Sequence, residues 1–170
     1  LISPLIKKKK HTHTHTHTKV YTHTYIYVCN KPTYKHVCVQ GLGYVGSAMA
    51  VAIANARSFN GDRLYQVTGV DQPTLLGCQR VAALNAGVFP FTVSDSELLS
   101  ALELANGVGN LTTTTDETIY RSADIIVIDV GLDVPFLDSE PMVDTRSFEK
   151  AIRSIGKYVK EGALLIVETT

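Results

Sequence analysis

Three glycines in the string Gly41-Leu-Gly43-Tyr-Val-Gly46 constrain this chain more than any other feature. Before them, His36-Val-Cys-Val-Gln40 reads as a short apolar strand. After them, a helical pattern runs to about Ala56, with Gly46, Ala50, Ile53 and Ala54 on one stripe. A strand that turns directly into a helix packed upon it needs glycine at separable points. Gly41 permits the tight turn, and Gly46 lets the helix lie close on the strand. Gly43 removes a Cβ where a ligand must approach the backbone. The amides near Tyr44 and Val45 then point outward from the positive end of the helix, an arrangement that suits a pyrophosphate.

The alternation of strand and helix continues along the chain. Gln66–Val70 is a second strand ending at Asp71, and Leu75–Asn85 a helix closed by Gly87. Asp95 to about Leu104 is a further helix with Ser94 as its cap. Leu111–Thr114 is a Thr-rich strand, Thr115–Tyr120 a short helix, and Asp124–Val130 a buried strand. Asp144 or Thr145 caps a helix with Phe148, Ile152, Ile155 and Val159 on one face. Gly162 ends it, and Ala163–Val167 is the last strand. This order predicts an α/β fold: a Rossmann-type doubly wound parallel sheet built from right-handed βαβ units.

An acid at the end of the second strand completes the fingerprint. The Asp71 carboxylate can accept both ribose hydroxyls of NAD and would repel the 2′-phosphate of NADP. It lies 25 residues after Gly46, where about 20 is usual. The polar insert Arg57 to Tyr65, with the turn Asn60-Gly61-Asp62, absorbs the difference as an extended loop.

Composition matters because the chain is not uniform. The formal net charge is zero, yet the first 36 residues hold seven Lys and no acid, while the rest hold all 16 Asp and Glu against nine Lys and Arg. Residues 1–35 form a low-complexity tail, with a four-Lys run and His-Thr alternation from His11 to Thr18. The tail has no apolar face to bury and is expected to be disordered. Its chemistry permits metal binding by His on one face, contact with an anionic surface, or targeting. A CA-dinucleotide repeat also encodes His-Thr alternation, so the favoured expectation is translated non-coding sequence or a mis-called gene start, testable by reading the DNA for a start codon near Tyr34. The basic tail is thus no argument for a nucleic-acid partner. No apolar run is long enough to span a membrane. Residues 36–170 are expected to be the NAD-binding domain.

Gly-Leu-Gly-Tyr-Val-Gly also resembles the opening of the UDP-glucose/GDP-mannose dehydrogenase family, the nucleotide-sugar 6-dehydrogenases. Gly69-Val-Asp71, Arg80-Val-Ala-Ala-Leu-Asn-Ala-Gly87 with Phe89-Pro-Phe91, Leu111-Thr-Thr-Thr-Thr-Asp116, Ala123-Asp-Ile-Ile-Val-Ile128 and Val167-Glu-Thr-Thr170 resemble later segments in order. Such enzymes oxidise the C6 hydroxyl of a UDP- or GDP-sugar to a carboxylate with two hydride transfers to NAD, as in polysaccharide biosynthesis. The resemblance implies that Gly41, Gly43, Tyr44, Val45 and Gly46 hold the pyrophosphate and Asp71 the adenosine ribose. It places Arg80 near the adenosine end, Val130 beside the cofactor and Thr170 near the reacting centre. After Val130 the family usually has Pro-Thr-Pro; here Gly131, Leu132 and Asp133 follow.

The family's nucleophilic Cys and its Lys correspond to positions beyond residue 170, as do the sixth strand, the linking helix and the sugar domain. The 170 residues are therefore expected to bind NAD weakly at best, to leave a sheet edge exposed, and not to turn over a nucleotide sugar. Cys29 lies in the tail, Cys38 in a core strand and Cys78 on a helix remote from the nicotinamide end. They suggest neither a disulfide framework nor a metal site, and they fit a reducing cytoplasm. His36 is expected at the surface, and Asp129 and Asp133 as strand-end and loop acids. The resemblance implies a UDP-glucose-type substrate and a homo-oligomeric parent. The alternatives are a 6-phosphogluconate- or 3-hydroxyacyl-CoA-type dehydrogenase, or a non-enzymatic NAD-binding module.

Overall fold

The computed structural model describes residues 34–132, 136–137, 140–141 and 144–168. The basic tail with Cys29, and also Asp133 and Thr170, lie outside the described residues. Strands β1 (Lys35–Gln40), β2 (Tyr65–Val70), β3 (Leu111–Thr114), β4 (Ile125–Ile128) and β7 (Leu164–Val167) form one sheet in the order β3-β2-β1-β4-β7. Every neighbouring pair in it is parallel. The short strands β5 (Phe136–Leu137) and β6 (Glu140–Pro141) pair antiparallel as a separate hairpin. Helices α1 (Tyr44–Asn55), α2 (Leu75–Asn85), α3 (Ser96–Val108) and α4 (Arg146–Tyr158) supply the crossovers, with a 3-10 helix over Glu117–Ser122.

Strand alternation divides the core in two. Val37 and Val39 of β1 face one side, where Leu42, Ala50, Val51, Leu84, Leu102 and Leu111 meet. Cys38 faces the other, among Ile126, Ile128, Tyr120, Ala151 and Ile155. Residues on both faces of the central strands are thus buried, as a parallel sheet with helices on each side requires. The two outermost strands differ. β7 is exposed along its whole length, with Leu164 to Val167 between 40 and 55% accessible. Among the described residues it pairs on one side only, with β4, and its other edge is the open end of the sheet.

Local chemistry moves several helix ends. Asp95, not Ser94, caps α3, its carboxylate accepting from the amides of Glu97 and Leu98. A carboxylate also suits the positive helix end better than a hydroxyl. The helix runs on past Leu104 to Val108, where Gly109 at φ 76° closes it. Thr145 holds the N-cap position of α4 without a side-chain cap, while Asp144 accepts from the Arg146 amide. Gly162 does not end α4. That helix stops at Tyr158, and Gly162, at φ 80°, shapes the turn into β7. The insert after α1 folds back through an Arg57–Arg63 bridge, so the extra residues leave the end of β2 in place.

His36 is half-buried and bonded on both ring nitrogens rather than freely exposed. At the amino edge of the sheet its Nε2 meets Thr68 Oγ1 at 2.9 Å and its Nδ1 meets Ser122 Oγ at 3.0 Å. Its amide donates to Asp124 Oδ2 at 2.8 Å, and Lys160 Nζ donates to Asp124 Oδ1 at 2.8 Å. Burial pushes the imidazole pKa below its ordinary 6.5, against the Ser122 hydrogen bond and the Asp124 charge, which raise it. The folded chain therefore binds fewer protons at His36 than the unfolded one. Its stability is full above pH 6.5 and declines as the pH falls below that value. Thermal melts between pH 8 and pH 5 are expected to show this decline in the native chain and a flatter profile in His36→Gln. Parallel profiles would contradict it.

Candidate functional site

The glycine turn stands at the carboxyl edge of the sheet, where open α/β folds place their ligands. Gly41 has φ 95°, and a Cβ on it would overlap the Asp129 carbonyl oxygen. A Cβ on Gly46 would strike the Gly41 carbonyl oxygen. These two glycines are demanded by the protein itself. Gly43 differs, since its φ of −63° suits any residue and nothing lies within 4 Å of where its Cβ would be. The space that a side chain would occupy there is open to solvent.

The rest of the turn is held firmly. The Gly41 amide donates to Val70 O at 2.9 Å. Leu42 is fully buried and covers Gly69 of β2, and Ser47 Oγ donates to Leu42 O at 3.1 Å. Helix α1 begins with no side-chain cap and no acid in its first turn. Its first amides are thus left for an incoming anion, and the dipole favours one. The side chains of Tyr44 and Val45 project outward, about half exposed.

Asp71 follows β2 on the adjacent strand. It is nearly buried; Oδ1 accepts from the Gln72 amide at 2.8 Å, and Oδ2 pairs with Arg80 Nη1 at 3.4 Å. Arg80 is only partly exposed. Its guanidinium lies 5.4 Å from the centre of the Phe91 ring, and its Nε is buried without a hydrogen-bond partner among the described residues. Tyr44, Phe89 and Phe91 form an aromatic cluster with ring centres 5.6 to 5.9 Å apart. The structure thus brings Gly41, Gly43, Tyr44, Val45, Gly46, Asp71 and Arg80 together, with an aromatic wall beside Arg80. Spacing alone could not find that wall, because Phe89 and Phe91 lie beyond α2 and reach Tyr44 only through the fold.

The main-chain ladder continues past the named strands. Asp71 N donates to Thr114 O, Asp129 N to Gln40 O and Glu168 N to Ile128 O. Asp71, Gly41, Asp129 and Glu168 therefore stand in successive positions along one edge. Val130 belongs to the second core by its side chain, which leaves its backbone at the edge. Asp129 carries a pKa above the ordinary carboxyl value, first through burial and then through the charge of Glu168. Cys38 is buried, and burial pushes its thiol up to about 12, so it is no nucleophile. Cys78 is exposed on α2. Among the described residues no group of three or more His, Cys, Asp and Glu is placed to hold a metal. None of their helices is long and apolar enough to cross a membrane.

Residues 35–170 match the profile of the UDP-glucose/GDP-mannose dehydrogenase family, NAD binding domain. The UDP-N-acetyl-D-mannosamine dehydrogenase of Methanocaldococcus jannaschii is 31% identical over 136 residues, which covers 80% of this chain and 28% of that protein. The crystal structure of NDP-N-acetyl-D-galactosaminuronic acid dehydrogenase from Methanosarcina mazei Go1 matches with a TM-score of 0.70 at 25% identity, covering 82% of this chain and 28% of that one. A UDP-glucose dehydrogenase structure from Pyrobaculum islandicum matches with a TM-score of 0.62 at 27% identity, covering 85% and 31%. The chain spans less than a third of the length of each of these relatives. The open space at Gly43, the uncapped start of α1 and the acid ending β2 fit the dinucleotide that the profile names.

Proposed function

This chain belongs to the UDP-glucose/GDP-mannose dehydrogenase family by its NAD-binding domain, and from that premise we propose that it holds NAD for oxidation of the C6 hydroxyl of a UDP-sugar to the uronate. NAD, when bound, accepts the hydride in each of the two oxidations. The chain's own residues bind and orient it. The amides around Gly43, Tyr44 and Val45 receive the pyrophosphate. Gly41 and Gly46 keep the turn tight enough to present them. Asp71 accepts the hydroxyls of the adenosine ribose, and Arg80 holds the Asp71 carboxylate in place. The backbone at Val130 lies beside the bound dinucleotide, and Thr170 is assigned to the reacting centre.

The observation that carries this reading is the contrast among the three glycines. Two are required by internal contacts, and the third faces open space beside an uncapped helix. The reading is tested by calorimetric titration of the 170-residue chain with NAD and NADP. Saturable NAD binding, at least about tenfold tighter than NADP, is the expected result, since a carboxylate in the Asp71 position disfavours a 2′-phosphate. Equal affinity, or a preference for NADP, would remove Asp71 from its role.

For the substrate, the resemblance in the sequence suggests UDP-glucose. The relatives named for UDP-N-acetyl-D-mannosamine support a second reading, in which that sugar is oxidised. The catalytic Cys and Lys are assigned to sequence following Thr170. Coding sequence that continues in frame into a segment bearing that Cys would support the enzyme reading over a free-standing NAD-binding module. The parent enzyme is proposed to be a cytoplasmic homo-oligomer.

A further inference from the structure

We propose that NAD binding to this chain takes up a proton at Asp129, whose carboxylate lies within the glycine cradle. The inference rests on the cradle being the cofactor site. The placement of Asp129 comes from the ladder and from Gly46. Its backbone is hydrogen-bonded to Gln40 at the end of β1, and its Oδ2 lies 2.8 Å from where a Cβ of Gly46 would stand. The carboxylate is thus packed against the first turn of α1, where the diphosphate is to be received. Among the described residues its side chain makes no hydrogen bond and no ion pair. The carboxylate is partly buried and gains no donor in return for the water it loses.

The surrounding charges act in the same direction. Helix α1 brings only the Tyr44 phenol, and the end of β1 brings no ionisable side chain. The residues just after β4, Gly131 and Leu132, are uncharged. Among the described residues, Glu168, at the end of β7 on the neighbouring strand, is the charged group that acts on Asp129. Burial and that charge already favour the protonated acid. A diphosphate entering the same cradle adds negative charge beside the carboxylate, so the pKa in the complex lies above that of the free protein. A proton is then drawn from solvent onto the Asp129 carboxylate as the cofactor binds. By linkage, affinity rises as the pH falls through the interval between the two values.

The experiment is isothermal titration of the 170-residue chain with NAD at pH 5.5, 6.5 and 7.5, in paired buffers of different ionisation enthalpy. The expected result is binding that tightens as the pH falls, by at most about tenfold per pH unit, with net proton uptake, as one linked carboxyl allows. Asp129→Asn is expected to bind more tightly than the native chain at pH 7.5 and to lose the pH dependence. Glu168→Gln, which removes the second influence, is expected to move the transition to lower pH. That variant and the native proton count keep the test decisive should Asp129→Asn fail to fold. NAD binding with no pH dependence and no proton uptake overturns this inference alone. Weaker binding by a folded Asp129→Asn also overturns it, because the carboxylate would then be a direct contact to the cofactor. No NAD binding at any pH overturns the cofactor-site assignment as well.

Discussion

Gly41→Ala is expected to destabilise the fold strongly and to lose NAD binding, whereas Gly43→Ala keeps its stability and loses only the binding. At Gly41 the backbone has φ 95°, and the new methyl would overlap the Asp129 carbonyl oxygen, which belongs to a neighbouring central strand. The left-handed conformation costs an L-residue about 1–2 kcal/mol. Forcing a methyl into a packed position costs about 1–3 kcal/mol more. Their sum is a large share of a domain stability of about 5–15 kcal/mol. A fall in Tm of about 10–20 °C is expected by calorimetry or circular dichroism. At Gly43 the same methyl meets nothing within 4 Å and the φ is ordinary. Tm there should move by no more than about 2 °C. Affinity for NAD should fall by at least about 100-fold, because the methyl stands where the pyrophosphate must approach. A Gly43→Ala chain that binds NAD normally would show that the cradle is elsewhere.

Asp71→Ala is expected to weaken NAD binding by roughly 10- to 150-fold. That range takes the net loss as one charge-assisted hydrogen bond, about 1.5–3 kcal/mol at 1.4 kcal/mol per tenfold, because both carboxylate oxygens already have partners in Gln72 and Arg80. The structure adds a second consequence. Arg80 spends part of its charge on Asp71 at 3.4 Å and is steadied by the face of Phe91. With the carboxylate gone, the guanidinium faces the ribose position unpaired, and NADP binding should improve while NAD binding declines. Competitive titration of the two dinucleotides reads both changes. An Arg80→Gln change in the same background should remove the gain for NADP. An unchanged NAD-to-NADP ratio in Asp71→Ala would exclude Asp71 from the ribose site.

Much of the fold was legible because its determinants are local. The apolar runs at His36–Gln40 and Ile125–Ile128, the stripe on α1 and the glycines at turns each act over a few residues. α2 and β3 fall on the limits read from the sequence. The failures occurred where neighbouring residues compete for one task. Ser94 and Asp95 are both acceptable caps, and only Asp95 has its carboxylate within reach of the second and third amides of α3. Gly162 looked like a helix stop, yet α4 had already ended at Tyr158, four residues earlier. His36, one of six histidines, carries no local sign that it will bond across β2 and the 3-10 helix.

The sequence by itself determined the α/β order, the glycine turn with its acid, and the family. All three are patterns along one chain, and each glycine or strand end acts through its own backbone. Only the tertiary structure decided which glycines are internally required, because the obstructing atoms at Gly41 and Gly46 come from Asp129 and from the turn itself. It also decided that Arg80 grips Asp71, that Tyr44, Phe89 and Phe91 meet, and that Asp129 stands beside Gly46 and Glu168. These contacts join segments tens of residues apart. Parallel pairing through long crossovers sets which strand ends become neighbours, and the spacing of residues along the chain does not encode that.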